Sequence, residues 1–458
     1  MYGLVVLAIY TVLMVGVTLC LSRKSNSAES FHVANRKLGL MQSAMSIAAT
    51  WIWAPALFTS AEKAYSSGIP GLFWFLVPNV LCLLIFVPFV RKIREQMPNG
   101  ITLSGYMMQK YKSKPVHAAY LIELSTLTVL STAVQLLAGA KVLASVTGWP
   151  FWALTIVLAL IAFSYSQYSG IKASVLTDAM QMILMLGCCA LLVPWALSNG
   201  GVHDLVKGLS GASGEYGHLF DAKGIEVLFA FGLPTAIGLI AAPFGDQCFW
   251  QRAFSIRKDK LGKAFKLGAL FFAIVPLSMG ILGYIAAGSG YIAKDAGMVN
   301  FEMVANLFPS WVTIPFLFML LSGLLSTADS NLCAAASLTS DFGGSMTAAK
   351  GSMVLMLILA VGIANIPGLA VTDLFLIYGA LRATTMLPTV LTLKGKNLTA
   401  TGVASGIAAS LLIGMPIFIF GTMNNDSVLK TIGCLCAVLL SGIVALATAP
   451  RKAVRAWA

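Results

Sequence analysis

Long apolar runs alternate with short polar segments along the whole chain. Thirteen runs approach or exceed the roughly 20 residues that a helix rising about 1.5 Å per residue needs to cross a bilayer. They lie near residues 2–22, 38–64, 71–90, 115–145, 150–168, 174–198, 225–250, 267–288, 311–340, 352–367, 371–393, 400–422 and 429–449. The pattern predicts an all-α polytopic membrane protein with about 13 transmembrane helices.

The run at 311–340 carries polar residues through its centre. They recur three or four positions apart, so most share one helix face; they are Ser322, Ser326, Asp329, Ser330, Cys333 and Ser337. An aspartate at mid-membrane costs about 2.5–3.5 kcal/mol unless it meets protein, water or an ion. Hydroxyl, carboxylate and carbonyl oxygens suit a small hard cation such as sodium. Close helix packing, which favours small residues, is the alternative interpretation.

Two runs carry residues that interrupt helices. The second contains Pro55, and the seventh contains Pro234, Gly238, Pro243 and Gly245. Proline removes a backbone donor and clashes with the preceding turn, so we expect both helices to open there. Matched broken helices five spans apart indicate an inverted repeat with the substrate site between its halves. Two ordinary proline kinks are the alternative.

Composition and charge support a membrane protein. Hydrophobic residues make up 58% of the chain and charged residues 10%, which excludes a soluble globular protein. Of the 30 Lys and Arg, 23 fall in one set of loops, including Arg252 after the seventh run. This asymmetry places the N-terminus outside and the C-terminus in the cytoplasm, and we predict a multi-pass protein of the plasma (inner) membrane. The same placement of cations indicates that the net charge of +13 interacts with the bilayer surface and not with nucleic acid.

No catalytic constellation is visible in the sequence. The four histidines have no metal-ligand spacing, and the eight cysteines lie within apolar segments. We predict that the protein is not an enzyme and needs no cofactor.

Three stretches carry a family resemblance: AATWIWAPALF (48–58), YSGIKASVLTDAMQ (168–181) and SGLLSTADSNLCAAASLTSDF (322–342). With WQRAF (250–254), they resemble the sodium:solute symporter family over nearly the whole chain. Within that family, TWIWAPALF, GIPGLFWF (68–75) and FGDQCFWQRA (244–253) look closest to the urea-transporting branch.

The resemblance implies a five-plus-five inverted-repeat core of the sodium-coupled leucine transporter type. It also implies a sodium site between the second and ninth spans, with sodium as the coupling ion. Its ligands would be the carbonyls of Ala49, Ile52 and Gly323 and the hydroxyls of Ser326 and Thr327. A second ion site, present in some relatives, would map onto Asp178, Asp329 and Ser330. Asp178 could instead cap a helix N-terminus at the membrane edge.

Substrate candidates come from the residues themselves. Trp51 and Trp53 flank the expected break and could stack on a planar solute, although tryptophans also pack in any bundle. Gln135 lies on a polar face of the fourth span. Arg382, which shares a helix face with Tyr378, needs a partner inside the membrane. That partner is either an anionic or carbonyl-rich substrate, or Asp329, Asp178 or a backbone carbonyl. Asp246 is expected to gate or cap.

The sequence thus predicts a sodium-coupled secondary transporter that imports a small polar organic solute by alternating access. Proton coupling through Asp178 or Asp329, and a solute-binding membrane sensor, are the alternatives. The predicted organisation is a first helix and loop (1–37), a ten-helix transport core (38–398) and two final helices with a short tail (399–458). The sequence makes no prediction of oligomeric state.

Overall fold

A computed structural model describes residues 2–22, 25 and 27–450 of the chain. These residues form 21 α-helices joined by turns and short 3₁₀ or π segments, and none of them belongs to a sheet strand. Five of the cations used to predict orientation, Arg23, Lys24, Arg451, Lys452 and Arg455, lie outside the described residues.

The helices of the first half are α1 (Tyr2–Leu21), α2 (Ala28–Val33), α3 (Leu40–Trp51), α4 (Ala54–Leu57), α5 (Thr59–Gln96), α6 (Leu103–Tyr111), α7 (Lys114–Thr147), α8 (Phe151–Ser169), α9 (Ile171–Ala196) and α10 (Val202–Gly208). Those of the second half are α11 (Ala222–Val227), α12 (Leu233–Gly245), α13 (Gln247–Ser255), α14 (Leu261–Gly288), α15 (Val299–Leu307), α16 (Thr313–Leu338), α17 (Met346–Ala364), α18 (Val371–Leu393), α19 (Ala400–Ala409), α20 (Met415–Met423) and α21 (Ser427–Ala447).

Within the described part, 12 helical segments are long and apolar enough to cross a membrane. The second predicted span is not among them, because it is divided at Ile52 and Trp53 into α3 and α4. The chain then continues into α5, which bends where Gly68 adopts a positive φ of 54°. The thirteen predicted segments therefore correspond to the 12 long segments and the short pair α3 and α4.

The seventh predicted span also breaks, but not where its prolines predict. Helix α12 continues through Pro234, Gly238 and Pro243 and ends at Gly245. The break falls at Asp246, whose extended backbone separates α12 from α13. The helix does not open at Pro234, because a proline near a helix start lacks only a bond that the first turn does not make. Of the four positions named from the sequence, only Gly245 adjoins the break, and Pro243 lies inside the last turn of α12.

Helix α16 lies at the centre of the bundle, and residues 319–338 are all buried. It packs against α3, α7 and α9, while α12 packs against α18. A Cβ on Gly238 would lie 3.0 Å from Gly379 Cα, so small residues let α12 and α18 approach closely. One discontinuous segment, α3 and α4, comes from the first half of the chain, and the other, α12 and α13, comes from the second half. Both segments contact α16 and α18.

Candidate ion and solute site

The first break is built by local hydrogen bonding. The Ile52 amide still donates to the Ala48 and Ala49 carbonyls, at 2.9 and 3.1 Å, and closes α3. Trp53 is extended, and the Ala54 amide that starts α4 donates to Gln135 Oε1 at 2.8 Å. Pro55 occupies the first turn of α4, where its missing N–H leaves no bond unmade. The break therefore exposes backbone oxygens inside the bundle without orphaning the new helix start.

The broken segment lies against the polar face of α16. Thr327 Oγ1 is 3.0 Å from the Thr50 carbonyl and 3.2 Å from the Gly323 carbonyl. Gly323 has no side chain at the contact, and a Cβ there would lie 2.9 Å from the Ile52 carbonyl oxygen. The structure thus brings Ile52, Gly323 and Thr327 together at the break.

Ser326 points toward a second set of polar groups. Its hydroxyl donates to Asp178 Oδ1 at 2.5 Å, and Ser46 donates to Asp178 Oδ2 at 2.5 Å. Asp178 is fully buried in the interior of α9, so it is not the N-terminal cap considered from the sequence.

Arg252 is the cation of this cluster. Its Nη2 lies 2.9 Å from Asp178 Oδ2 and 2.7 Å from Ser330 Oγ, and its Nε donates to Ser46 at 3.0 Å. Arg252 is 1% exposed, so its assignment to a cytoplasmic loop was wrong. Its guanidinium binds two of the three side chains that were predicted to hold a second ion.

Asp329, the third of those side chains, is held by neutral donors. Ser174 donates to its Oδ1 at 2.7 Å, and the Thr177 hydroxyl lies 3.3 Å from its Oδ2. Among the described residues, no Lys, Arg or His forms an ion pair with it. The three residues are therefore neighbours, but only Asp178 and Ser330 contact the guanidinium.

A second buried ion pair joins α18 to the break in the seventh span. Arg382 Nη2 donates to Asp246 Oδ2 at 2.5 Å, and Tyr378 OH donates to Asp246 Oδ1 at 2.6 Å. Gly245 permits this approach, since a Cβ there would lie 3.0 Å from Arg382 Cβ. The partner of Arg382 is thus Asp246, and none of the groups named from the sequence. Asp246 is buried at the N-cap position of α13, but its side chain makes no capping hydrogen bond to that helix.

Arg382 also faces the tryptophans of the first break. Its Cζ lies 5.0 Å from the Trp53 ring centroid and 5.7 Å from that of Trp51, within cation–π range. Arg382 Nη1 and Trp53 Nε1 are buried, and neither has a hydrogen-bond partner among the described residues. Arg382 and Trp53, each of which carries one unused donor, are therefore in cation–π contact at the centre of the bundle.

A small cavity lies between these groups. Its free volume of about 10 Å³ is close to the space one water molecule needs. Its lining consists of Thr50, Trp51, Trp53, Ser131, Asp246, Cys248, Phe249, Thr327, Asn331 and Arg382. Both breaks and both central helices thus meet at one occluded space, one wall of which is the Thr327 side chain of the candidate sodium site.

Two substrate candidates lie outside that lining. The Gln135 side chain accepts from Ala54 N and donates to the Ser131 carbonyl, so it holds the break in place. Tyr378 packs under the Arg382 guanidinium at 3.4 Å and orients Asp246. Sequence reasoning missed Asn331, which donates to Ser131 at 2.9 Å. Its position one turn after Thr327 on the polar face of α16 was the available signal.

Each end of the bundle carries a cavity. A cavity of about 260 Å³ opens near the start of α5 and α18, with Phe58, Glu62, Lys141 and Thr372 among its lining. At the other end, Gln247 bonds the Leu103 amide and Ser337, and Asp341 accepts from Thr102 and Ser104. A cavity of about 330 Å³ also lies at this end, with Thr102, His117 and Asp341 among its lining. Hydrogen bonds thus tie the helices together at the end that carries the Lys- and Arg-rich loops.

Two discontinuous helices around an occluded polar cavity, in a bundle of membrane-length helices, define a secondary transporter of the inverted-repeat type. The sequence model of a family described as "Sodium:solute symporter family" matches residues 31–407 of the chain. The chain belongs to the sodium:solute symporter family.

Named relatives and solved structures agree with this. Urea-proton symporter DUR3 of Oryza sativa subsp. japonica is 23% identical over 92% of this chain and 65% of its own length. Sodium-coupled monocarboxylate transporter 2 of Homo sapiens is 26% identical over 69% of this chain and 53% of its own length. A Na+-coupled sialic acid symporter in a substrate-bound outward-open state superposes with a TM-score of 0.74, at 15% identity and over 99% of both chains.

At that identity the structural likeness shows the fold, and it confirms the predicted all-helical architecture of the leucine transporter type. These relatives are transporters and not enzymes, as the sequence predicted. The chain spans about half the length of the curated relatives it matches. Groups of three or more His, Cys, Asp or Glu able to hold a metal ion are absent from the part of the chain described.

Proposed function

We propose that the protein is a sodium-coupled secondary active transporter that imports a small polar organic solute across the plasma membrane. The observation that carries this proposal is the contact of Thr327 with the Thr50 carbonyl at the break in the second span. Backbone and hydroxyl oxygens converge there, and such oxygens are the ligands that a hard cation prefers. The proposed sodium ligands are those implied by the family resemblance: Ala49, Ile52, Gly323, Ser326 and Thr327.

Coupling then follows from the position of these ligands on two helices. A sodium ion held by both would join α3 and α16 and stabilise the state that accepts solute from outside. The excess of Lys and Arg in the loops at the opposite end supports a cytoplasmic C-terminus, which places the opening lined by Glu62 and Lys141 on the outside. An inward gradient of sodium, aided by about 2.3 kcal/mol per charge for each 100 mV, drives accumulation.

We propose that one sodium ion is transported per cycle. Arg252 supplies a fixed positive charge to Asp178 and Ser330, where a second ion would need negative charge and free oxygens. Asp178 gives its remaining oxygen to Ser326. A second cation bound to Asp178 and Ser330 would lie next to the positively charged guanidinium of Arg252, and the repulsion between the two charges opposes binding.

The solute is proposed to be neutral and to carry a carbonyl group. Asp246 neutralises Arg382, so the cavity offers no net positive charge to an anion. Arg382 and Trp53 both line the cavity, and the unused N–H groups of Arg382 Nη1 and Trp53 Nε1 are donors of the kind that a carbonyl oxygen accepts. In this closed state the cavity has room for about one water molecule, so the solute enters a more open state of the bundle. The flat indole faces favour a small planar molecule, and we propose urea.

The test uses purified protein in liposomes and radiolabelled urea. We expect uptake that requires an inward sodium gradient and that is lost in Ser326→Ala. Ser410→Ala is the matched control, because Ser410 is buried and its hydroxyl has no partner among the described residues. Equal urea uptake with and without sodium would overturn the sodium site, and sodium-dependent uptake of acetate but not urea would overturn the neutral solute.

Proton coupling is the second candidate, supported by the name of the rice relative. Asp329, which lacks an ion-pair partner among the described residues, and Asp178 are the carboxyl groups that would carry the proton. Replacing sodium by choline at constant pH decides between the two, because a proton-coupled protein would keep its uptake. A membrane sensor would bind urea in the same assay but would not concentrate it in the liposomes.

A further inference from the structure

Glu123 is a buried carboxyl group that the proposed transport site does not use. It lies on α7, and only 4% of the residue is exposed. The Thr385 hydroxyl donates to its Oε1 at 2.8 Å, and Thr384 Oγ1 lies 3.0 Å from its Oε2. Among the described residues, no Lys, Arg or His forms an ion pair with Glu123. Both neighbouring hydroxyls belong to α18.

The hydrogen bonds of Thr384 indicate which form of Glu123 is present. The Thr384 hydroxyl also lies 2.9 Å from the Leu381 carbonyl of its own helix. A threonine hydroxyl has one proton to donate and can accept two hydrogen bonds. If Thr384 donates to Leu381, its oxygen accepts from a protonated Glu123 Oε2, and Oε1 still accepts from Thr385. A neutral carboxylic acid thus supplies a proton for each of three contacts, which are Thr384–Leu381, Thr384–Glu123 and Thr385–Glu123. With a carboxylate, Thr384 has one proton for two acceptors, so one of its two contacts lacks a proton.

Burial supports the same form. A carboxylate without a cation inside a membrane span is more costly than the neutral acid. The titratable side chain that interacts electrostatically with Glu123 is Tyr120 on α7, which also interacts with Tyr106 and Tyr111 on α6. The nearby Arg382 of α18 is paired with Asp246. No charged group from α8, α16, α17 or α19, which also pack on α7, forms an ion pair with Glu123 within the described residues.

Hydroxyl groups follow the contact of α7 and α18 toward the Lys114 end of α7. Tyr120 OH lies 2.9 Å from Thr389 Oγ1, and Tyr111 OH lies 2.6 Å from Thr392 Oγ1. Tyr111 is only half-buried, so this polar seam reaches the surface. The seam gives protons a polar path of approach to Glu123 from one side of the membrane.

We propose that Glu123 is a proton-binding site and that solute transport requires its protonated form. The proposal goes beyond the proposed function, because it adds a proton site whichever ion drives uptake. Helix α18 connects the two sites: Thr384 and Thr385 follow Arg382 within one turn of the helix. Loss of the proton places an unpaired negative charge against α18 and displaces the helix that carries the guanidinium of the solute cavity.

Infrared spectroscopy of the purified protein tests the proton directly. We expect a carboxylic-acid C=O stretching band that Glu123→Gln removes and that the exposed control Glu95→Gln retains. Glutamine keeps the shape of the neutral acid, accepting from Thr385 and donating to Thr384. In liposomes, urea uptake by the wild type should fall at alkaline pH by up to about tenfold per pH unit, and this decline should be absent in Glu123→Gln.

Loss of the band together with loss of the alkaline decline is the expected result, and absence of either overturns the proposal. The infrared measurement needs no solute, so a failure of urea transport is recognised separately. If Glu123→Gln does not fold, Thr384→Ala replaces it. Removing the acceptor should shift the acid band to higher frequency, and an unchanged spectrum overturns the proposal.

Discussion

The guanidinium of Arg252 lies 2.9 Å from the carboxylate of Asp178, and both side chains are buried inside the bundle. The pair links α13, which follows the second break, to α9. It also positions Ser330 and Ser46 around a fixed charge. One protein cation therefore occupies the place where a second transported ion was expected from the sequence.

Removing that cation should change the number of sodium ions bound. In Arg252→Gln, Asp178 and Ser330 become free to bind a cation, so we expect the Hill coefficient for sodium-dependent uptake to rise from about one toward two. Initial rates measured over a range of sodium concentrations give this value. The exposed Arg257→Gln is the control and should keep the wild-type coefficient. A coefficient that stays near one in Arg252→Gln would contradict the single-ion interpretation.

The Arg382–Asp246 pair should control the charge of the accepted solute. Asp246→Asn leaves Arg382 unpaired in a buried site, which should destabilise the protein by about 3–5 kcal/mol. The same change makes the cavity positive, so acetate should compete with urea roughly tenfold better than in the wild type. Thermal unfolding and competition uptake measure the two effects.

The double variant Asp246→Asn/Arg382→Gln tests whether the charge causes both effects. It removes the uncompensated guanidinium, so we expect it to recover much of the lost stability and to lose the gain in acetate competition. If the double variant is less stable than Asp246→Asn alone, the ion pair is not the source of the loss.

Gly323 should be essential for the contact of α16 with the first break. In Gly323→Ala, the new Cβ would lie 2.9 Å from the Ile52 carbonyl oxygen, and backbone cannot move aside at little cost. We expect a loss of about 1–3 kcal/mol in stability and weaker sodium activation of uptake. Gly362→Ala on α17 has no atom within 4 Å of its Cβ and should leave sodium activation unchanged.

His32 should make stability depend on pH. Burial lowers the pKa of this side chain, on the short helix α2, to about 4. Between that value and the ordinary pKa of about 6.5, only the unfolded chain binds the proton, so stability falls as pH decreases through this window. The expected loss at pH 5.5 is about 1 kcal/mol. Melting curves of His32→Gln should lack this part of the loss, while the exposed His218→Gln should retain it.

The sequence by itself determined the class of protein, most of its helices and the first break. These features are local: apolar length sets a span, and the Trp-Ala-Pro stretch after Ile52 sets where α4 begins. Polar spacing along α16 likewise identified Ser326 before any contact was known, and the family resemblance added Thr327. Patterns of this kind depend on residues within a few turns of one another.

Only the tertiary structure decided which charges meet. Arg252 and Asp178 are 74 positions apart, and Arg382 and Asp246 are 136 apart. No periodicity in one helix specifies a partner on another, so Arg252 was read as a loop cation and the partner of Arg382 was misassigned. The position of the second break was also decided by packing, because Gly245 admits Arg382 and Asp246 binds it. Burial makes an unpaired charge so costly that the assembled bundle, and not the local sequence, selects each pair.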